Sequence, residues 1–404
     1  MAAYLATMDQ FLDVQRHAAR SRLSAPAPPR LPLLGSVVSG TKSQELVSLR
    51  RLDPEQDLFL RDHTFGRAVS QGDPSLLGLP VVPFTVSIEL LAEAAATLCP
   101  GHVVVGARHV RAHQWIALDD GPVMLRVVAR RAGTGGEVTV ELQRLDDDGS
   151  DGSQAGTRMV EGTVVLADCY PAPEVAPALT LRGERTCQQT GANLYADRMF
   201  HGPRFQGVVS LDRWGEDGIS ATMTTLPTGD LFAATPEPTL LTDPQLLDAA
   251  GQVVGFWALE HHDRGSAFFP FGLDELQLFG PPPPAGTPVT GQARISMAGG
   301  AQLRSDIDLA GPDGRLLARL TGWANHRLDL PEPLARLGIS PRDAALAVPW
   351  TALTSQPPGA VACCRIDDLP LGPQGRIWDR ALAQIVLSRG ERAAWSRLHG
   401  SGRH

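Results

Sequence analysis

Runs in which apolar and polar residues alternate dominate the chain, and two long apolar stretches interrupt them. HVVVGARHV, VMLRVVARR, EVTVELQRL and MVEGTVVLA follow one another between His102 and Ala167, separated by turn-forming GTGG and DDDGSDG. A period of two with Val-rich faces predicts half-buried antiparallel strands. Ahead of them SIELLAEAAATL, Ser87 to Leu98, is rich in Ala and Leu with few charges, which predicts a buried helix. The same plan recurs after the Pro-rich bridge CYPAPEVAPA. Strand-like VVSLDRW and ISATMTTL lead to an apolar helix, DPQLLDAAGQVVGFWALEHH (Asp243 to His262), and then to PVTGQARISM, QLRSDIDLA and RLLARLTGWA. Two α+β units of similar length, 31–170 and 171–332, therefore stand in tandem as a duplication of element order. Glu45 to Leu60 also reads as strand.

The ends differ. Leu5, Met8, Leu12 and Gln15 predict a linker helix over Ala3 to Arg20, which Pro26, Pro28, Pro29 and Pro32 terminate, so 1–30 is assigned as a linker. Residues 333–404 read as a C-terminal linker with two amphipathic helices, the last being RIWDRALAQIVLSRGERAAWSRL.

Composition narrows the function classes. The 404 residues are 43% hydrophobic, enough for real cores. The net charge of -8 is dispersed, with no basic block and three Tyr, so nucleic acid is not an expected partner. No apolar run approaches the roughly 20 residues that cross a bilayer, and Met1 to Leu23 lacks a signal pattern, so no membrane role is expected. Five cysteines without CxxC spacing argue against a disulfide framework or zinc knuckle, and a cytoplasmic setting follows.

Several constellations have a bland reading. GSVVSGTKS imitates a phosphate loop, but Thr41 interrupts the Gly-Lys step and no clear helix follows. His109 and His113, if on one face of a strand, stand about 13 Å apart, too far for one metal. His261 and His262 end a helix, where cations suit the dipole. No metal site is expected. Asp248 and Gln252 are more informative, being four apart on a mostly apolar helix. Desolvation there would hold Asp248 protonated, as a general acid requires, with Gln252 orienting it; an exposed stripe or a cap is the alternative. His63, beside Asp62, reads as the end of a strand, either an ordinary hydrogen-bonded residue or a base paired with that acid.

Taken together, Asp62-His63, GLPVVP (Gly78 to Pro83), HGPRFQG (His201 to Gly207) and DPQLLDAAGQ (Asp243 to Gln252) resemble the dehydratase domains of type I polyketide synthases, over roughly Leu31 to Pro331. The resemblance implies a double hotdog fold, each half a curved antiparallel sheet around a helix. It also implies removal of water from a 3-hydroxyacyl chain on acyl carrier protein. The family's HxxxGxxxxP pattern falls on His63, Gly78 and Pro83, but Gly78 lies fifteen residues after His63 where the pattern has it four after. Such an enlarged loop is similar to that of a subfamily of these dehydratases. In HGPRFQG, His201 stands where Tyr is common, and in DPQLLDAAGQ Asp243 stands for a His.

The catalytic residues so implied are His63 as base, Asp248 as acid and Gln252. Gly78, Pro83, His201, Gly202, Pro203, Phe205 and Phe271 are assigned to substrate binding, the last from FPFGLDELQLFGPPPP, which resembles a segment beside the substrate tunnel. Helix amides near Pro83 would face the enolate oxygen. No cofactor is expected beyond the phosphopantetheine arm that enters on the carrier protein. Expected partners are acyl carrier protein, other polyketide synthase domains and a second copy in a homodimer. IVLSRGERAAW resembles the opening of a phosphopantetheinyl transferase domain without its metal and lysine motifs. Rival readings are a double-bond isomerase or cyclase on the same fold, or a silent scaffold.

Overall fold

The computed structural model describes residues 31–41, 44–67, 79–118, 121–133, 135–145, 156–261, 266–298, 302–329, 347–349 and 361–363. Gly78, the linker helix over Ala3 to Arg20 and the two C-terminal helices lie outside them.

The first half runs β1 (Ser36–Thr41), β2 (Glu45–Leu52), a single helical turn α1 (Phe59–Asp62), a two-residue pair β3 (Thr64–Phe65) and β4 (Leu79–Pro80), then helix α2 (Phe84–Leu98). β5 (Val103–Ala112), β6 (Val123–Arg131), β7 (Glu137–Arg144) and β8 (Thr157–Ala167) complete it. The second half opens with β9 (Arg185–Thr190) and a short helix α3 (Gly191–Asp197), then repeats the plan: β10 (Val208–Gly215), β11 (Gly218–Thr224), helix α4 (Pro244–His261), β12 (Ser266–Leu278), β13 (Pro288–Ala298), β14 (Gln302–Ala310) and β15 (Leu316–Asp329). A separate parallel pair joins β16 (Ala347–Pro349) and β17 (Val361–Cys363).

All strands from β1 to β15 except β3 and β4 belong to one antiparallel sheet in the order β1-β2-β6-β7-β8-β5-β12-β15-β14-β13-β11-β10-β9. The strand after each long helix, β5 or β12, lies at the centre, and these two pair with each other from Gly106–Gln277 to Arg111–Gly272. The halves are thus joined by a hydrogen-bonded seam. α2 packs on β2, β5, β6, β7 and β8, α4 packs on β10 to β14, and the two helices touch. This is the double hotdog architecture, with one core running through both halves. Among the described residues no helix is long and apolar enough to cross a membrane.

α2 explains itself from composition. Ile88, Leu90, Leu91, Ala92, Ala94 and Ala95 are all buried, so the helix has no solvent stripe. Each Leu or Ile contributes about 1.5–3 kcal/mol by burial. The helix also buries two carboxylates that sequence pattern did not single out. Glu93 Oε2 accepts from the Leu33 and Leu34 amides, both at 2.8 Å. Glu89 accepts from the Leu241 amide at 2.6 Å, the Thr242 amide at 2.8 Å and Thr242 Oγ1 at 2.6 Å. Burial pushes both carboxyls up, Glu89 to about 7. Glu89 therefore straps the first half's helix to the segment that starts α4.

Three local readings change. The strand expected over Glu45 to Leu60 ends at Leu52. His63 is no strand end but the residue that closes α1, its amide donating to Leu60 O. A bulge between Arg108 and Arg111, with His109 at φ 53°, breaks the alternation that put His109 and His113 on one face.

Candidate active site

α1 is too short to be stable by itself, and Asp62 anchors it from the second half. The Asp62 carbonyl accepts from the Gly202 amide at 2.7 Å. Its carboxylate accepts from the Arg204 amide at 3.1 Å and Arg204 Nη1 at 2.9 Å. Gly202 is required there, because a Cβ would meet Asp62 Oδ1 at 2.0 Å. His63 follows directly. Its Nδ1 lies 2.7 Å from Val81 O, and a carbonyl can only accept, so Nδ1 carries the proton and Nε2 keeps its lone pair. The Val81 amide returns a bond to His63 O at 3.1 Å, and β3 pairs with β4 just beyond, Thr64 opposite Pro80 and Phe65 opposite Leu79. The ring packs edge-on against Phe200, His201 and Phe205. Burial lowers the His63 imidazole to about 4, against the opposing effect of the Val81 carbonyl.

Asp248 comes from the other half. Asp243 caps α4, its Oδ1 accepting from the Leu246 amide at 3.0 Å, and Pro244 occupies the first turn. One turn on, Asp248 Oδ2 accepts from Gln252 Nε2 at 2.8 Å. Gln252 is itself fixed: Nε2 also donates to Phe205 O at 2.9 Å, and Oε1 accepts from Tyr195 O–H at 2.8 Å. Tyr195 in turn accepts from the Val208 amide at 2.9 Å. Burial raises the Asp248 carboxyl to about 7, opposed by the Gln252 amide. Asp248 and His63 are thus shifted in opposite directions by the same loss of water.

His201 completes the group. Its Nε2 lies 3.4 Å from Asp248 Oδ2, and its ring stacks on Phe200 at 4.1 Å. Burial, with His63 and Arg67 nearby, pushes its imidazole well below the usual range. One donor atom each from His63, His201 and Asp248 lies within 4.8 Å of the other two, and among the described residues this is the one group that could hold a metal ion. All three face one cavity, walled by an aromatic cluster to which the first half gives Phe65 and Trp115 and the second half Phe200 and Phe269.

Other residues assigned to substrate contact do not line that cavity. Pro83 caps α2, Gly202 and Pro203 hold Asp62 and the turn after it, and Phe205 is 1% exposed, giving its carbonyl to Gln252. They position the site from behind. Phe271 stacks on His326 at 3.6 Å, away from the cavity. A bulge between Pro270 and Gly272 re-aims it, so Phe268, Phe269 and Pro270 face the cavity in its place. Tyr195 escaped the sequence reading, since the lone buried tyrosine of a short helix carries no motif by itself.

Residues 32–144 match the family model described as "Polyketide synthase dehydratase domain", and residues 180–333 match "Polyketide synthase dehydratase N-terminal domain". The chain belongs to the polyketide synthase dehydratase family. Membership makes it a dehydratase, a lyase, whose setting is a synthase with other domains. No curated protein matches it. Among solved structures, the dehydratase domain from the CurJ module of curacin polyketide synthase is 18% identical over 74% of this chain and 97% of that chain, with a TM-score of 0.56. A trans-AT polyketide synthase dehydratase domain from Brevibacillus brevis is 21% identical over 75% and 100%, at 0.57. The dehydratase domain of a mycocerosic acid synthase-like synthase is 20% identical over 75% and 98%, at 0.55. In this dehydratase both halves of the double hotdog contribute to the cavity: His63 and Val81 from the first, His201, Asp248 and Gln252 from the second.

Proposed function

We propose that the chain removes water from a 3-hydroxyacyl thioester carried on acyl carrier protein, with His63 as base and Asp248 as acid. The supporting observation is that His63 and Asp248 face one cavity from opposite halves, with burial lowering one group to about 4 and raising the other to about 7. Between those values the imidazole is neutral and the carboxyl protonated, as proton removal and proton donation require.

The thioester acidifies its α-carbon. His63 Nε2 takes the α-proton, the electron pair forms the C2–C3 double bond, the C3–O bond breaks, and Asp248 gives its proton to the leaving hydroxyl, which departs as water. The products are an enoyl thioester, an imidazolium and a carboxylate; proton exchange with water restores the last two. Gln252 keeps the carboxyl on the cavity side, and the Val81 carbonyl keeps Nε2 unprotonated. First-turn amides of α2, whose Phe84 lines the cavity, suit the developing enolate oxygen. The phosphopantetheine arm arrives with the substrate, and a second copy of the chain is the expected neighbour in the synthase.

Mass spectrometry of a 3-hydroxyacyl carrier protein incubated with the chain tests this, with loss of water expected. Replacing either His63 by Ala or Asp248 by Asn should lower the rate at least about a hundredfold. Near-parental rates in both variants would place the chemistry elsewhere. Incubation with an enoyl carrier protein separates dehydration from double-bond migration.

A further inference from the structure

Among the described residues, four that line the cavity carry a buried polar atom without a hydrogen-bond partner, Gln114 Oε1, His201 Nδ1, Trp323 Nε1 and Asn325 Oδ1, and the last two share one strand. Trp323 and Asn325 lie two apart on β15, so their side chains leave the same face of the sheet, and both line the cavity. They are 1% and 2% exposed. Trp323 Nε1–H is a donor without an acceptor, and Asn325 Oδ1 is an acceptor without a donor. Neither group takes part in the acid–base chemistry. A plain hydrocarbon chain would leave both unmet, and buried polar groups left so are costly enough to be rare.

Their position along the cavity narrows the ligand. α4 presents Asp248, Gly251, Gln252, Gly255 and Leu259 to it, a recurrence of three and four that keeps one helix face along the cavity for about 16 Å. Gly251 leaves room for Trp323, since a Cβ there would lie 2.9 Å from Trp323 Cζ2. Trp323 thus sits about one helical turn from Asp248. It is 1% exposed, whereas an arm tethered to an external carrier protein must keep to the solvent end.

We propose that Trp323 and Asn325 recognise an oxygen on the acyl chain beyond C3, so that the substrate class is a 3-hydroxyacyl thioester bearing a further hydroxyl or carbonyl. A hydroxyl answers both atoms, accepting from Nε1–H and donating to Oδ1; a carbonyl answers the first. The proposal rests on the dehydratase reading above and names the substrates of that same site.

Binding tests it independently of turnover. Calorimetry compares unreactive acyl pantetheine thioesters that lack the 3-hydroxyl and differ only in a hydroxyl at C5 or C7. The oxygenated member should bind about tenfold tighter or better, and Asn325→Leu and Trp323→Phe should each bring the ratio towards one. Both replacements are close in shape, and their melting curves report whether the fold survives. Equal affinities for all chains in the parent would overturn the proposal, as would an unchanged ratio in both variants. A loss of affinity only on shortening the pantetheine would assign the two atoms to the arm and also overturn it. A binding preference without loss of water from the matching 3-hydroxyacyl thioester would instead refute the dehydratase reading and leave the recognition intact.

Discussion

Replacing Gln252 by Leu should move the alkaline limit of activity upwards while making the enzyme slower. In the parent, Gln252 Nε2 donates to Asp248 Oδ2 at 2.8 Å, a bond that favours the ionised carboxylate over the acid. A hydrogen bond to a charged group contributes about 1.5–3 kcal/mol. At about 1.36 kcal/mol per pH unit, its removal raises the Asp248 carboxyl by about one to two units above its present value near 7. The sign is fixed: Asp248 must be protonated to act, so the active form of the variant persists to higher pH. The rate on the plateau falls because the carboxyl loses its orientation, though less than in Asp248→Asn, which loses the proton. The unfolding free energy should also fall, by about 1–3 kcal/mol, because the Tyr195 hydroxyl loses its Gln252 acceptor. The assay is the dehydration rate of a 3-hydroxyacyl carrier protein across pH for parent, Gln252→Leu and Asp248→Asn. An alkaline limb that stays in place, or moves down, would refute the assignment of Asp248 as acid and Gln252 as its orienting partner.

Other outcomes follow from the same geometry. In the parent, kcat/KM should fall below about pH 4 as His63 gains a proton and above about pH 7 as Asp248 loses one, and a profile flat across pH 7 would remove Asp248 from the acid role. Asp243 holds φ 53° and caps α4, so Asp243→Ala should cost about 1 kcal/mol more in thermal unfolding than Asp243→Gly, which tolerates that backbone; equal melting would refute the strain reading. Gly251→Ala should crowd the Trp323 ring and raise KM more than it lowers kcat, as steady-state kinetics would show.

Much of the fold was written in periodicity. The strands read from Val123 to Arg131 and from Gln302 to Ala310 coincide with β6 and β14, whose burial alternates at the start of each strand, before both faces are covered at Val127–Ala129 and Ile307–Ala310. β12 was not read as a strand, because both of its edges are paired at the centre of the sheet and FPFG lacks a clean alternation. Asp248 and Gln252 stood out because helical spacing brings them together within an apolar stretch. His63 needed its motif, since its two decisive contacts come from Val81, eighteen residues on, and from the second half. Within HGPRFQG, read as substrate contact, His201 lines the cavity, whereas the Gly202 and Arg204 amides hold Asp62 and the Phe205 carbonyl holds Gln252, contacts that only the approach of the two halves creates.

The rungs beside His63 have a consequence for how this enzyme can vary. Two bonds between His63 and Val81 and the short β3–β4 pair close the neck of the segment from Gly66 to Gly78, so the base and the carbonyl that fixes its proton are held from both sides. Whatever lies beyond the neck can grow or shrink without moving Nε2. Lengthening such a closed loop from about four to about fifteen residues costs only about 1 kcal/mol of chain entropy. Insertions here are therefore nearly free thermodynamically, and the spacing between His63 and Gly78 can diverge among relatives while the chemistry of the base stays fixed.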